Sequence, residues 1–169
     1  MLYLSIDVGI KNLAFIIYDS DVNNIIEWDI IELCNKDVNC NKVNLIDIGI
    51  VMCNRFMEIF NNYKFDIIII ENQIGRNAIR MKSVQSMITM YFINNGYKNI
   101  YYWNASNKLK YYGLPCKTTY SERKKFSIEI TKEQINEKYP TYNDFFFKHK
   151  KKDDLADCFL QLIDALNKY

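Results

Sequence analysis

The sequence predicts an α/β fold, a mixed β-sheet with helices packed on it. Three observations lead there. The first three apolar segments are joined by two short polar turns, which makes them an antiparallel meander. Residues 67–70 are an unbroken run of isoleucine, the pattern of a strand covered on both faces and hence central and parallel. Segments with apolar residues at helical spacing then alternate with strands, as crossover connections require.

Residues 1–8 read as a strand, and Gly9 supplies a turn with Lys11 and Asn12 at its tip. Residues 13–18 and 25–33 are the next two strands, followed by a polar, Asn-rich loop at 34–44. From 43 to 63 apolar residues recur at helical spacing (Ile46, Ile50, Cys53, Phe56 or Met57, Phe60), with Asn44 as a candidate cap. Residues 65–70 form the central strand. A second helix, 76–94, carries two stripes: Arg80, Val84, Met87, Ile88 and Tyr91 on one side, and Ile79, Ser83, Ser86, Met90 and Ile93 on another. Apolar character on two sides suits a helix that packs on the sheet and also meets something else. Asn94-Asn95-Gly96 ends it.

Residues 98–103 are a fifth strand, and 104–120 read as irregular. Ser121 is the expected cap of a helix over 122–138, ended by Tyr139-Pro140. The aromatic-rich stretch 141–149 reads as a loop or short turn. The last helix spans 153–168, with Leu155, Phe159, Leu162 and Leu166 as its core stripe. The order is βββ-α-β-α-β-α-α, in one domain covering 1–169.

Bulk properties narrow the function. The chain has 169 residues, 49% of them hydrophobic, and a formal net charge of +2. That suits one globular domain whose basic surface must come from local clustering. Five cysteines form no close pair and there is one histidine, which disfavours a structural zinc site and suits reduced thiols in a reducing, intracellular compartment. Signal, transit and transmembrane patterns are not expected from this sequence.

The chemistry-bearing residues are acids in apolar settings. Asp7 closes the first strand, Glu71 follows the isoleucine run, and Asp153, Asp154 and Asp157 open the last helix. A carboxylate in such a setting is expensive unless a cation pairs with it. Asp157 shares a helix face with Asp154 at a spacing of three and with Asp153 at four, so geometry does not choose between them. Each acid alone could be a turn or cap residue, but three such stretches in one chain read as a single site. Hard oxygen ligands without His or Cys suit Mg²⁺, with Mn²⁺ as a substitute. Two ions about 4 Å apart can activate water and stabilise the leaving oxygen of a phosphodiester.

The segments Ser5-Ile6-Asp7-Val8-Gly9-Ile10-Lys11-Asn12-Leu13-Ala14, Ile69-Ile70-Glu71-Asn72-Gln73 and Asp154-Leu155-Ala156-Asp157 together resemble the RuvC-type Holliday-junction resolvases of the RNase H-like superfamily. The phrase from Gly9 to Ala14 is also similar to the fungal mitochondrial resolvases, and the whole chain most resembles the poxvirus resolvases. The resemblance implies a five-stranded sheet in the order 3-2-1-4-5 with strand 2 antiparallel. It also implies a Mg²⁺-dependent endodeoxyribonuclease that resolves four-way DNA junctions by paired symmetric nicks, leaving 5′-phosphate and 3′-hydroxyl ends. Asp7, Glu71, Asp154 and Asp157 then match the family's four acids and would hold two metals, leaving Asp153 as a cap or outer acid. Family members also use lysines near the scissile phosphate. Here Lys117, Lys124 and Lys125 stand in the corresponding region and their spacing selects none; Lys125 is grouped with the catalytic acids. The same resemblance implies action in the host cytoplasm, with packaging in the virion as an option.

Basic residues cluster where a DNA backbone would be met. Lys148, Lys150, Lys151 and Lys152 precede the last helix, where cations oppose the helix dipole and so need an outside reason. Arg76, Arg80 and Lys82 open the second helix, Arg123 and Lys124 open the third, and Lys11, Asn12 and Lys117 complete the candidate contacts. Tyr101, Tyr102, Tyr111, Tyr112 and Tyr120 are candidates for stacking on unpaired bases, with core packing as the alternative. Paired cuts in a junction call for a two-fold homodimer, with the helix 76–94 as its candidate interface. The rival readings are a nuclease of the same superfamily acting on RNA–DNA hybrids and a non-catalytic protein that binds branched DNA. An actin-like ATP-binding fold needs a second phosphate loop and about twice the length.

Overall fold

The computed structural model describes residues 1–75, 78–109, 112–113 and 118–168. The strands β1 (Leu2–Asp7), β2 (Leu13–Asp19), β3 (Asn24–Ile31), β4 (Ile67–Glu71) and β5 (Ile100–Trp103) form one sheet in the order β3-β2-β1-β4-β5. The first three pair antiparallel, and β4 and β5 join parallel to β1. This is the expected mixed topology. The helices are α1 (Leu45–Phe60), α2 (Ile79–Asn94), α3 (Tyr120–Lys138), α4 (Asn143–Lys148) and α5 (Lys152–Leu166).

Alternation along the central strands splits the interior into two layers. Leu4, Ile6, Ile68 and Ile70 face α1 and α2, where they meet Phe56, Phe60, Val84, Ile88 and Phe92. Tyr3, Ile67 and Ile69 face the other way, onto Ile130, Phe146, Leu155, Phe159 and Leu162 of α3, α4 and α5. The isoleucine run is therefore buried on both sides. α5 sinks deeper than a single stripe would allow. Ala156, Cys158, Leu160 and Ala165 are buried alongside Leu155, Phe159 and Leu162, and the small residues among them let the helix lie close on the sheet.

Several local expectations are corrected. In α1 the buried residues are Ile48, Met52, Phe56 and Phe60, while Ile46, Ile50, Cys53 and Met57 face outward. The helix is apolar on two faces, and the bulkier aromatic pair takes the sheet. α3 is capped by Thr119 and not by Ser121. Thr119 and Glu122 form a reciprocal capping box, which satisfies two backbone donors where a lone serine satisfies one. The stretch 141–149 is not a loop. A 3-10 turn over Pro140–Tyr142 leads into α4, whose Phe146 is buried and stacks on Trp28 at 5.4 Å. β5 is shorter than expected, and α5 starts one residue earlier.

Gly9 is required by close approach. A Cβ there would stand 1.9 Å from the Asn12 carbonyl oxygen, so only glycine fits the turn between β1 and β2. Among the described residues Cys34, Cys40, Cys53 and Cys158 are free thiols, and no helix is long and apolar enough to cross a membrane.

Candidate active site

β1 and β4 run side by side and parallel, with Ile6 opposite Ile70. Asp7 and Glu71 come one step later, at the carboxyl ends of two adjacent strands, the edge where open α/β sheets bind ligands. Strand alternation sends both toward α5, because Ser5 and Ile69 already face that side. α5 is fixed over this edge by polar contacts inside the core. Ser5 Oγ donates to the Cys158 carbonyl at 2.9 Å, and Gln161 Nε2 donates to Ser5 Oγ at 3.1 Å and to the Ile6 carbonyl at 3.0 Å. Asp157 precedes Cys158 and Asp154 lies one turn earlier, so the stitch that seats the helix also aims its two acids. Asp7, Glu71, Asp154 and Asp157 line one cleft of about 640 Å³.

A lysine that the sequence reading did not single out sits among them. Lys108 follows a 3-10 turn over Ala105–Asn107 and is only 3% exposed. Its ammonium lies 3.0 Å from Glu71 Oε1 and 3.2 Å from Asp7 Oδ1. Nothing in the stretch around Lys108 marks it: it is one of several lysines in a segment that reads as irregular. Gln73 adds a hydrogen bond from Nε2 to Glu71 Oε2 at 2.6 Å, and its own amide is held by Gln85 Oε1 at 2.8 Å.

Electrostatics follow from burial. Desolvation pushes the Asp7 carboxyl well above the usual carboxylate range, against the pull of Lys108 and with the repulsion of Glu71 and Asp157. Burial likewise raises Asp157. Asp154 is pushed up to about 6, by burial first and then by the neighbouring Asp153. Burial by itself would lower the Lys108 ammonium, but Asp7, Asp157 and Glu71 more than reverse that. Three carboxyl groups thus converge on one ammonium in a dry place, where they need a cation or a proton to be balanced. Such a site is completed by more positive charge.

The donor set fits a divalent ion: all oxygen, largely buried and over-charged, with an ammonium as a stand-in cation. In the present arrangement no three His, Cys, Asp or Glu side chains among the described residues stand close enough to share one ion. Lys108 stands between the oxygens of Asp7 and Glu71.

The other candidate residues are distributed as follows. Lys124 and Arg123 line the cleft. Lys124 is ion-paired to Asp153 and lies over the Tyr120 ring at 4.9 Å. Burial works against ionising Asp153, but the hydrogen bond and charge of Lys124, a backbone hydrogen bond and the charge of Lys151 together outweigh it and lower the carboxyl. Asp153 is therefore engaged by a lysine within the first turn of α5, and it is not the cap, which is Lys151. Lys125 is exposed and outside the cleft lining. The sequence reading groups it with the acids; one residue of helix rotates a side chain by about 100°, and in this structure it is Lys124 that lines the cleft.

Lys11, Asn12 and Arg80 line an adjoining groove of about 350 Å³ that shares Asp7 and Asp154 with the cleft. Lys11 Nζ donates to the Lys36 carbonyl at 2.7 Å, and Arg80 donates to the carbonyls of Cys40 and Val43. Both thereby fasten the 34–44 loop. Lys82, Lys150 and Lys151 are exposed, and Lys152 Nζ donates to the His149 carbonyl at 2.9 Å. Arg76, Lys117 and Tyr111 lie outside the described residues.

The chain matches the family model described as poxvirus A22 protein over residues 1–168. It is 30% identical over 161 residues to a Holliday junction resolvase of fowlpox virus (strain NVSL), a match covering 94% of this chain and 88% of the relative. Among solved structures, the fowlpox virus Holliday junction resolvase superposes with a TM-score of 0.68 at 23% identity, covering 99% of both chains. The yeast mitochondrial Holliday junction resolvase gives 0.65 at 19% identity, covering 98% of this chain and 81% of that one. RuvC of T. thermophilus, in complex with a Holliday junction substrate, gives 0.66 at 9% identity, covering 99% and 96%. At these identities the superpositions speak for the fold, and the family match and the fowlpox relative speak for kinship.

Proposed function

Because the chain belongs to the poxvirus A22 protein family, and shares 30% identity with a Holliday junction resolvase over nearly its whole length, we propose that it is itself a Holliday junction resolvase. It is a structure-selective endonuclease that hydrolyses phosphodiesters in four-way DNA with the help of divalent ions. The observation that carries this reading is the convergence of Asp7, Glu71, Asp154 and Asp157 on one cleft.

Those four carboxylates would hold Mg²⁺, or Mn²⁺ in its place. Bound there, the ions would supply charge neutralisation and a nucleophilic water at neutral pH. The chain's own groups do the rest. Gln73 orients Glu71 through its amide. Arg123 and Lys124 on the cleft wall meet the anionic oxygens flanking the scissile bond. Exposed Lys150 and Lys151, beside the start of α5, extend the contact to the backbone of the branch and read its shape more than its bases.

Two cuts placed symmetrically in one junction call for two copies of the chain about a two-fold axis. The outer faces of α1 and α2 suit that role. Ile46 and Ile50 on α1 and Met90 on α2 border one apolar groove of about 650 Å³. Action in the host cytoplasm, where thiols stay reduced, is consistent with free cysteines.

Cleavage of a synthetic four-way junction in Mg²⁺, against linear duplex and an RNA–DNA hybrid, tests the proposal. Asp7→Asn should slow cleavage by at least about 10²–10³-fold while junction binding, measured by mobility shift, survives. Near-normal cleavage by that variant would sink the site assignment. Preference for the hybrid would favour the other nuclease reading, and binding without any nicking would favour a non-catalytic one.

A further inference from the structure

The Lys108 ammonium contacts Glu71 Oε1 at 3.0 Å and Asp7 Oδ1 at 3.2 Å, on two of the four carboxylates that would hold a divalent ion. Mg²⁺ holds its ligand oxygens at about 2.0–2.1 Å, about an ångström nearer than the ammonium does. One position cannot hold both, since an ammonium has no lone pair to offer a metal. Burial makes the exchange consequential: Lys108 is 3% exposed, so its charge is met by these carboxylates and little by water.

We infer that Lys108 is an internal counter-cation, which keeps the acidic cleft folded in the absence of metal and must withdraw from Asp7 and Glu71 when the first divalent ion binds. The inference rests on the metal-dependent reading of the cleft. It assigns Lys108 as a positioning residue that sets metal affinity through the carboxylates it pairs with.

The surroundings permit such a withdrawal. Lys108 is carried by a short 3-10 turn outside the sheet. The turn is tied to the end of β4 through the Asn72 amide, which bonds the Trp103 carbonyl at 2.7 Å, and through Asn72 Nδ2, which bonds Asn104 Oδ1 at 2.8 Å. These anchors lie before the turn, so the lysine side chain can swing away while β4 and Glu71 keep their places. Its four-carbon stem has the rotamer freedom for the movement. Metal binding then works against an ion pair already formed, and the protein loads at a higher metal concentration than its carboxylates alone would need.

Two measurements on the full chain test this without reference to cleavage. Mn²⁺ binding is titrated for wild type and Lys108→Met, and the lysine side-chain ¹⁵N resonances of wild type are followed as Mg²⁺ is added. Lys108→Met should bind Mn²⁺ about tenfold or more tightly than wild type. The Lys108 ammonium should pass from a protected to a solvent-exchanging resonance at saturating Mg²⁺. A lysine that only props the fold predicts the opposite sign, weaker binding on its removal. Unchanged or weaker Mn²⁺ binding in Lys108→Met overturns the inference, and so does an ammonium resonance that Mg²⁺ leaves in place. If Asp7→Asn still abolishes Mn²⁺ binding in either case, the metal reading of the cleft stands. Should neither wild type nor the variant bind Mn²⁺, both readings fall together. If Lys108→Met does not fold, the wild-type resonance decides alone.

Discussion

Asp154 shows how a single carboxyl couples site and stability. Its pKa stands at about 6, against an ordinary value of 3.8, mainly because it is partly buried and secondly because Asp153 is next to it. Below about pH 3 the group is protonated in the folded and the unfolded chain alike, and it contributes nothing. As pH rises from about 4 to about 6, the unfolded state gives up this proton while the folded state still holds it, so stability falls across that window and levels off above it. The full shift is worth about 3 kcal/mol, and partial exposure reduces this to about 1–2 kcal/mol. Asp154→Asn, measured in chelator, should therefore melt about 2–8 °C above wild type at pH 7.5, with the difference shrinking below about pH 4 and vanishing by about pH 3. A variant that melts lower at pH 7.5 would mean that Asp154 is a stabilising group. At this scale the sequence was legible where an acid ended an apolar strand, as at Asp7 and Glu71, since that juxtaposition is anomalous by itself. Lys108 was not legible, because an ordinary lysine becomes a buried one only when a turn after β5 folds back over the sheet edge.

Most elements were legible in kind and less so in orientation; the exception in kind is α4, whose stretch reads as a loop. α1 was placed by its period, yet its apolar residues lie on two faces, and the period alone does not say which one meets the sheet. The choice fell to Phe56 and Phe60, whose rings fill the layer against Phe92. For α3 the signal was present: Thr119 with Glu122 three residues on is a capping box, and it prevails over Ser121 because it answers two backbone groups at once. Thr119→Ala should lower stability by about 1 kcal/mol, seen as a melting temperature lower by about 2–4 °C. Ser121→Ala should leave it unchanged. The β1–β2 turn is more sensitive. Gly9→Ala drives a Cβ into the Asn12 carbonyl at 1.9 Å, and the turn must open two residues from Asp7. Stability and cleavage should both fall, with the loss in cleavage persisting at temperatures where circular dichroism shows the variant fully folded. A folded variant with full cleavage would show that the turn does not position Asp7.

At the scale of the whole molecule, turn lengths and one doubly buried strand made the antiparallel meander and the central parallel strand legible, while the full sheet order was legible only through the family resemblance. The association of copies was not, since a face that awaits a partner and a face that meets the core carry the same residues. In the structure Ile46 is 68% exposed, Ile50 56% and Met90 51%, all bordering the groove between α1 and α2, the face proposed above for a second copy. A second copy would remove this apolar surface from water, and two-fold symmetry would bring α2 against its own mate. Met90→Glu should then place two like charges near the axis and desolvate both, a cost of several kcal/mol. The variant should sediment as a monomer while its melting temperature stays within about 2 °C of wild type, because Met90 lies outside the core. Each monomer keeps its four acids, so hydrolysis itself survives. What fails is the pairing of cuts: singly nicked junctions should accumulate on denaturing gels where wild type yields resolved duplexes. A variant that remains dimeric would move the interface elsewhere. A monomer that still delivers both cuts in one encounter would show that symmetry of the junction, and not of the protein, sets the pairing.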